Sequence, residues 1–150
     1  MGLDMYLSKK TYLKNWEHKE DKHRVVVTTN DQTRLDIKPE RVTFVEEEIM
    51  YWRKVNAVHA WFVENVQDGI DECQESAVTI EQLDTLATIC EKVVRDKNPE
   101  LLPPQSGFFF GSTEPDNYYY QEIEETAKVL REEIRNNQEE YPEYYYQASW

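Results

Sequence analysis

RVTFVEEEIMYWRKVNAVHAWFV, Arg41 to Val63, is the stretch on which the fold class turns. Its first half fits no single period. Val42, Phe44, Glu46 and Glu48 would share one side of a strand, and Thr43, Val45, Glu47 and Ile49 the other, so both sides mix apolar with polar residues. The second half is clearer. At about 100° per residue, Val55, Val58, His59, Phe62, Val63 and Val66 form one stripe, and Trp61 points away from it near Ala57 and Asn65. The segment reads as an extended strand over 42–50 that runs into a helix near Lys54, covers about 54–67 and stops at Gly69.

Towards the N-terminus, LDMYLSKKTYLKNW alternates apolar residues with lysines and reads as one or two strands at a sheet edge. RVVVTTN and TRLDI, on either side of Asp31 and Gln32, read as an antiparallel hairpin over 24–37 that ends at Pro39. Towards the C-terminus, QDGIDECQE is an acidic loop. Thr79 with Gln82 is a capping box that opens a helix over 80–96, with Leu83, Leu86, Ala87, Cys90, Val93 and Val94 on its buried face. SGFFFGST, Ser106 to Thr113, reads as a strand over 107–110 covered on both faces, because Phe108 and Phe110 point opposite to Phe109. Thr113 is the expected cap of a last helix over 116–138, in which Tyr119, Ile123, Thr126, Ala127, Leu130 and Ile134 repeat at helical spacing. The tail, about 139–150, is too aromatic to stay loose, and Tyr144 to Trp150 are expected to dock on the domain. The fold class is α+β: a single domain over 1–150, an antiparallel sheet packed by about three helices.

Composition narrows the function classes. A chain of 150 residues suits one domain with a real core. It has no apolar run of about 18 residues and no signal-like N-terminus, so no membrane role is expected. Two isolated cysteines, Cys73 and Cys90, suit a reducing cytosol. The net charge of −13 is uneven: residues 1–54 hold 11 basic and 10 acidic side chains, residues 55–150 hold 6 basic and 20 acidic. The second half therefore cannot neutralise phosphates along a duplex, and direct duplex binding is excluded as an expectation.

Few residues carry chemistry at a recognised spacing. His18 and His23 lie in a charged loop and the cysteines stand apart, so neither a metal site nor any other cofactor is expected. His59, with Asp71 and Cys73, is the one catalytic set to consider. Its setting among valines favours a core histidine, and Asp71, Glu72 and Glu75 oppose activation of a thiol at Cys73. Tyr51, Trp52, Arg53 and Lys54, followed by Asn56, His59 and Trp61, place rings beside cations in a pattern able to stack a planar group and hold a phosphate. Gln105, Ser106 and Ser112, at the ends of the phenylalanine run, add polar contacts, and for an anion to be held by so acidic a chain Lys9 and Lys10 would have to converge there with Arg53 and Lys54.

MGLDMYL at the start, YWRKVNAVHAWFVENVQDGIDEC, LLPPQSGFFFGST and the closing YYYQASW together resemble a family of small proteins from phages and bacterial mobile regions. The resemblance covers most of the chain and carries over no catalytic residue. It implies a phage-type accessory protein in a bacterial host cytosol, of a kind that acts against host defence by sequestering a nucleotide signal or by blocking a defence protein. Three function classes follow. The first is a non-catalytic binding protein for a small nucleotide-like ligand. The second is an acidic inhibitor whose helices over 80–96 and 116–138 present a negative face that mimics phosphates to a host protein. The third is a small hydrolase or transferase around His59. Homo-oligomer formation is left open by the sequence.

Overall fold

Ile49 is a bulge residue, and it explains why its strand fits no single period. The computed structural model describes residues 2–20, 22, 24–107 and 111–150. In chain order the elements are β1 (Asp4–Tyr12), β2 (Thr28–Thr29), β3 (Gln32–Thr33), β4 (Phe44–Arg53), α1 (Asn56–Asn65), β5 (Ser76–Val78), α2 (Ile80–Asp96), α3 (Asn117–Asn136) and β6 (Glu143–Ser149). β1 pairs antiparallel with β4, and the register slips between Leu7, opposite Met50, and Ser8, opposite Glu48. One extra residue on one strand reverses which face its neighbours occupy. Phe44, Glu46 and Glu48 thus share the face of Tyr51 and Arg53, while Met50 and Trp52 turn into the core.

The main sheet has the order β4-β1-β6-β5, antiparallel throughout. Three sequence expectations change here. The N-terminal strand is central, not at an edge, because the C-terminal tail pairs along its other side from Asp4 opposite Ser149 to Lys10 opposite Glu143. That tail is a strand and not merely a docked segment. The hairpin expected over 24–37 shrinks to a ladder of Thr28–Thr29 with Gln32–Thr33, outside the main sheet. Its turn falls one residue earlier than expected, at Asn30 and Asp31, both left-handed (φ 53° and 61°), as a tight two-residue hairpin turn requires. In the strand expected over 107–110, Phe108, Phe109 and Phe110 lie outside the described residues.

One core joins the sheet to the three helices. Met5, Leu7, Trp52, Tyr144, Tyr146 and Val78 face Phe62 of α1, Leu83 and Leu86 of α2, and Ile123 and Leu130 of α3. The Phe62 and Tyr146 rings stack with centroids 3.9 Å apart and planes 6° apart, and Trp52 meets Phe62 edge-on at 5.9 Å. The indole N–H of Trp52 donates to Thr126 Oγ1 at 2.8 Å, so the largest core side chain leaves no unpaired donor. Cys90 is fully buried, and burial pushes its thiol up to about 12, as suits a small core residue. α1 is enclosed on more than one side: Ala57, His59 and Trp61 are buried with Val58 and Phe62, so Trp61, off the apolar stripe, is covered as well.

The capping box of α2 forms as read: Gln82 N–H donates to Thr79 Oγ1 at 3.1 Å and Thr79 N–H to Gln82 Oε1 at 2.9 Å. Replacing Thr79 by Ala leaves a first-turn N–H unpaired and is expected to cost about 1 kcal/mol, read from a urea midpoint at unchanged slope. α3 is capped by Asp116, whose carboxylate accepts from Tyr119 N–H at 3.0 Å, and not by Thr113, which lies before the helix. No helix among the described residues is long and apolar enough to cross a membrane.

Candidate functional site

The chain turns from β4 into α1 within two residues. Lys54 takes a left-handed backbone (φ 57°) and its N–H donates to Leu3 O at 2.7 Å, which pins the corner to the start of β1. No side chain at Val55 caps the helix. In this α1 differs from α2 and α3, whose cap residues Thr79 and Asp116 each accept from a first-turn N–H. Asn56, 4 % exposed, bridges two distant points: its Nδ2 donates to Ser112 O and its Oδ1 accepts from Gln105 N–H, both at 2.8 Å. One amide thus ties together the two ends of the phenylalanine segment. Gly111 (φ 86°) closes the corner, and a Cβ there would sit 3.1 Å from Lys54 Cβ.

These contacts enclose a cavity of about 180 Å³. Arg53, Lys54, Val55, Asn56, Ala57 and Ser112 line it together with Glu114, Asp116, Tyr118 and Glu122. Arg53 pairs with Asp4 at 3.5 Å, whereas Lys54 has no ion pair among the described residues. Burial, and Glu125 close by, hold the Glu122 carboxyl above the usual carboxylate range. Lowering the pH therefore neutralises Glu122 ahead of exposed carboxylates and favours an anion in the cavity. Tyr118 donates its hydroxyl to Arg53 O at 2.9 Å and keeps an exposed ring at the rim.

Only part of the expected constellation meets here. Arg53, Lys54, Asn56 and Ser112 line the cavity, and Gln105 joins through Asn56. Ser106 is exposed and does not line it. Strand alternation sends Tyr51 and Trp52 to opposite faces. Tyr51 reaches Asp4 on the open side of the sheet, and Trp52, 1 % exposed, lies in the core with Trp61. Lys9 and Lys10 sit elsewhere. Lys9 is buried near Glu133 and Glu139 at 3.7 and 3.6 Å, and Lys10 bonds Glu75 at 3.1 Å. Gly111, Tyr118 and Glu122 complete the site and were not read from the sequence. The glycine after the phenylalanine run was the one available signal.

His59 and Asp71 come together, with His59 inside the protein and Asp71 half-buried at its edge. His59 is 1 % exposed. Its Nδ1 lies 2.6 Å from Tyr146 Oη and its Nε2 3.0 Å from Asp71 Oδ2, while Trp150 Nε1 donates to Asp71 Oδ1 at 3.0 Å. One assignment pairs every group: Tyr146 donates to Nδ1 and Nε2–H donates to the carboxylate. Burial first, and then Asp71, push the Tyr146 phenol well above its usual range, so it remains a donor. The imidazole is held by a hydroxyl and a carboxylate and not by the Cys73 thiol, and a chain of this kind fixes a core.

The acidic face expected from α2 and α3 contains a cation. Arg131 joins Asp84, Glu91 and, at 2.8 Å, Thr88 across the two helices. No family model matches the chain, and neither the curated proteins nor the solved structures contain a match.

Proposed function

We propose that the chain is a phage-type accessory protein that holds a small nucleotide-like ligand at the start of α1 without transforming it. The observation that carries this reading is the cavity that gathers Arg53, Lys54, Asn56 and Ser112 at the start of α1, where Lys54 has no ion pair among the described residues. The positive dipole end of a helix attracts phosphate, and a lysine adds a point charge. The rest of the lining suits the remainder of such a molecule. Glu114 and Glu122 accept from hydroxyl or amino groups, and the exposed ring of Tyr118 gives a base a face to stack on. The same carboxylates repel a long polyphosphate, so the ligand carries one phosphate and projects its base past the rim. The interior placement of His59 supports holding over chemistry.

Calorimetric titration with AMP tests this. One molecule is expected to bind per chain. Arg53→Ala with Lys54→Asn, the latter chosen because asparagine tolerates the left-handed backbone, is expected to weaken binding at least tenfold at unchanged melting temperature. A charge-assisted contact contributes about 1.5–3 kcal/mol, which sets that expectation. Equal affinity of parent and variant overturns the reading, as does an absence of AMP binding.

A further inference from the structure

The sheet face turned away from the helices carries exposed aromatic pairs. Tyr6 and Tyr51, 38 % and 43 % exposed, stand with ring centroids 5.3 Å apart, and Tyr12 and Phe44 at 5.7 Å. Between the pairs lies Ser8, whose cross-strand neighbours are Glu48 on β4 and Tyr145 on β6. A hydroxymethyl group among rings and long side chains leaves a depression of about 350 Å³, with Tyr6, Tyr145, Glu46 and Glu48 around it. Glu46 and Glu48 have no ion pair among the described residues.

Lys10 shows how this face treats a cation. Its ammonium lies 4.3 Å from the Tyr145 ring centroid and 3.1 Å from Glu75 Oε1. Rings and carboxylates together thus hold one charge, with the Phe44 ring at 5.8 Å, and Lys10 has its pKa raised chiefly by that bond to Glu75 and further by Glu46. Glu46 stands opposite Lys10 and shares its field, whereas Glu48, opposite Ser8, has no ion pair among the described residues.

The geometry points to this face as a docking surface for a basic segment of a partner protein, with the depression over Ser8 taking an arginine side chain. A guanidinium is flat enough to lie on a tyrosine ring while its N–H fork meets the Glu48 carboxylate, and it loses less hydration than an ammonium. A nucleic acid would bring phosphates against Glu46 and Glu48. A second copy would bring the same carboxylates face to face. The complementary partner is therefore basic protein. This surface is separate from the cavity at α1, so either can fail alone.

The test is an amide chemical-shift titration of the full chain with acetyl-Gly-Arg-Gly-Arg-Gly amide, repeated with lysine in place of arginine. Saturable shifts are expected around Ser8, Glu48 and Tyr145, with the lysine peptide at least threefold weaker. Glu46→Gln with Glu48→Gln is expected to weaken the arginine peptide at least fivefold. Glu124→Gln with Glu132→Gln on α3 makes the same change in charge and is expected to alter it less than twofold. Equal weakening by the two variants, shifts centred on α2 and α3, equal binding of the two peptides, or no saturable binding each overturns the proposal.

Discussion

Deleting residues 143–150 is expected to abolish cooperative folding. β6 lies between β1 and β5, so its loss leaves β5 without a partner and exposes one side of β1. It also removes Tyr144 and Tyr146, 1 % and 0 % exposed, from the middle of the core. An aromatic side chain buries on the order of 150–250 Å², or about 4–6 kcal/mol each at about 25 cal/mol per Å². Two of them amount to roughly the whole stability of an ordinary domain, about 5–15 kcal/mol. The measurement is thermal unfolding by circular dichroism with amide shift dispersion at 25 °C as the flag of tertiary structure. A truncated chain that still melts in one sharp transition would show that the tail is dispensable and that the topology is wrong.

Breaking the chain from the buried Tyr146 and His59 to the half-buried Asp71 is the second large effect. His59→Leu removes the imidazole from between its two polar partners, Tyr146 and Asp71, and leaves the Tyr146 hydroxyl buried without its acceptor. The expected loss is about 3 kcal/mol, read as a fall of about 6–12 °C in melting temperature for a chain of this size. Tyr146→Phe keeps the stack on Phe62 and strands only His59 Nδ1, for about 1–3 kcal/mol. The double variant is expected to lose less than the sum of the two, because each single change already abandons the same bond. Strict additivity, or single losses below about 0.5 kcal/mol, would mean that the 2.6 Å contact contributes nothing to the fold.

The helices were legible because their signals are local. The box of Thr79 and Gln82 lies within one turn, and the stripe from Leu83 to Val93 needs no knowledge of the partner surface. The sheet was less so. A bulge at Ile49 swaps faces halfway along β4, and no averaged period survives that exchange. β5 has three residues, too few to show alternation, and the pairing of Asp4 with Ser149 joins the two ends of the chain. Aromatic content revealed that the tail is buried but not that it completes a sheet.

The site divides in the same way. Arg53, Lys54, Asn56 and Ser112 were legible as residue types, while their meeting depends on one amide spanning Gln105 and Ser112. Tyr51 and Trp52, adjacent in sequence, part company as soon as the segment is a strand. His59 was legible as a core residue from its valine neighbours. Its partner Tyr146, 87 positions away, was not.

Mapping AMP onto the intact chain by amide chemical shifts tests the binding account most directly. Saturable shifts are expected at Val55, Asn56, Ala57, Gly111 and Ser112, with the amides of Ser8 and Glu48 unmoved. Movement confined to other surfaces, or none at millimolar AMP, would contradict the assignment of a ligand site to the start of α1.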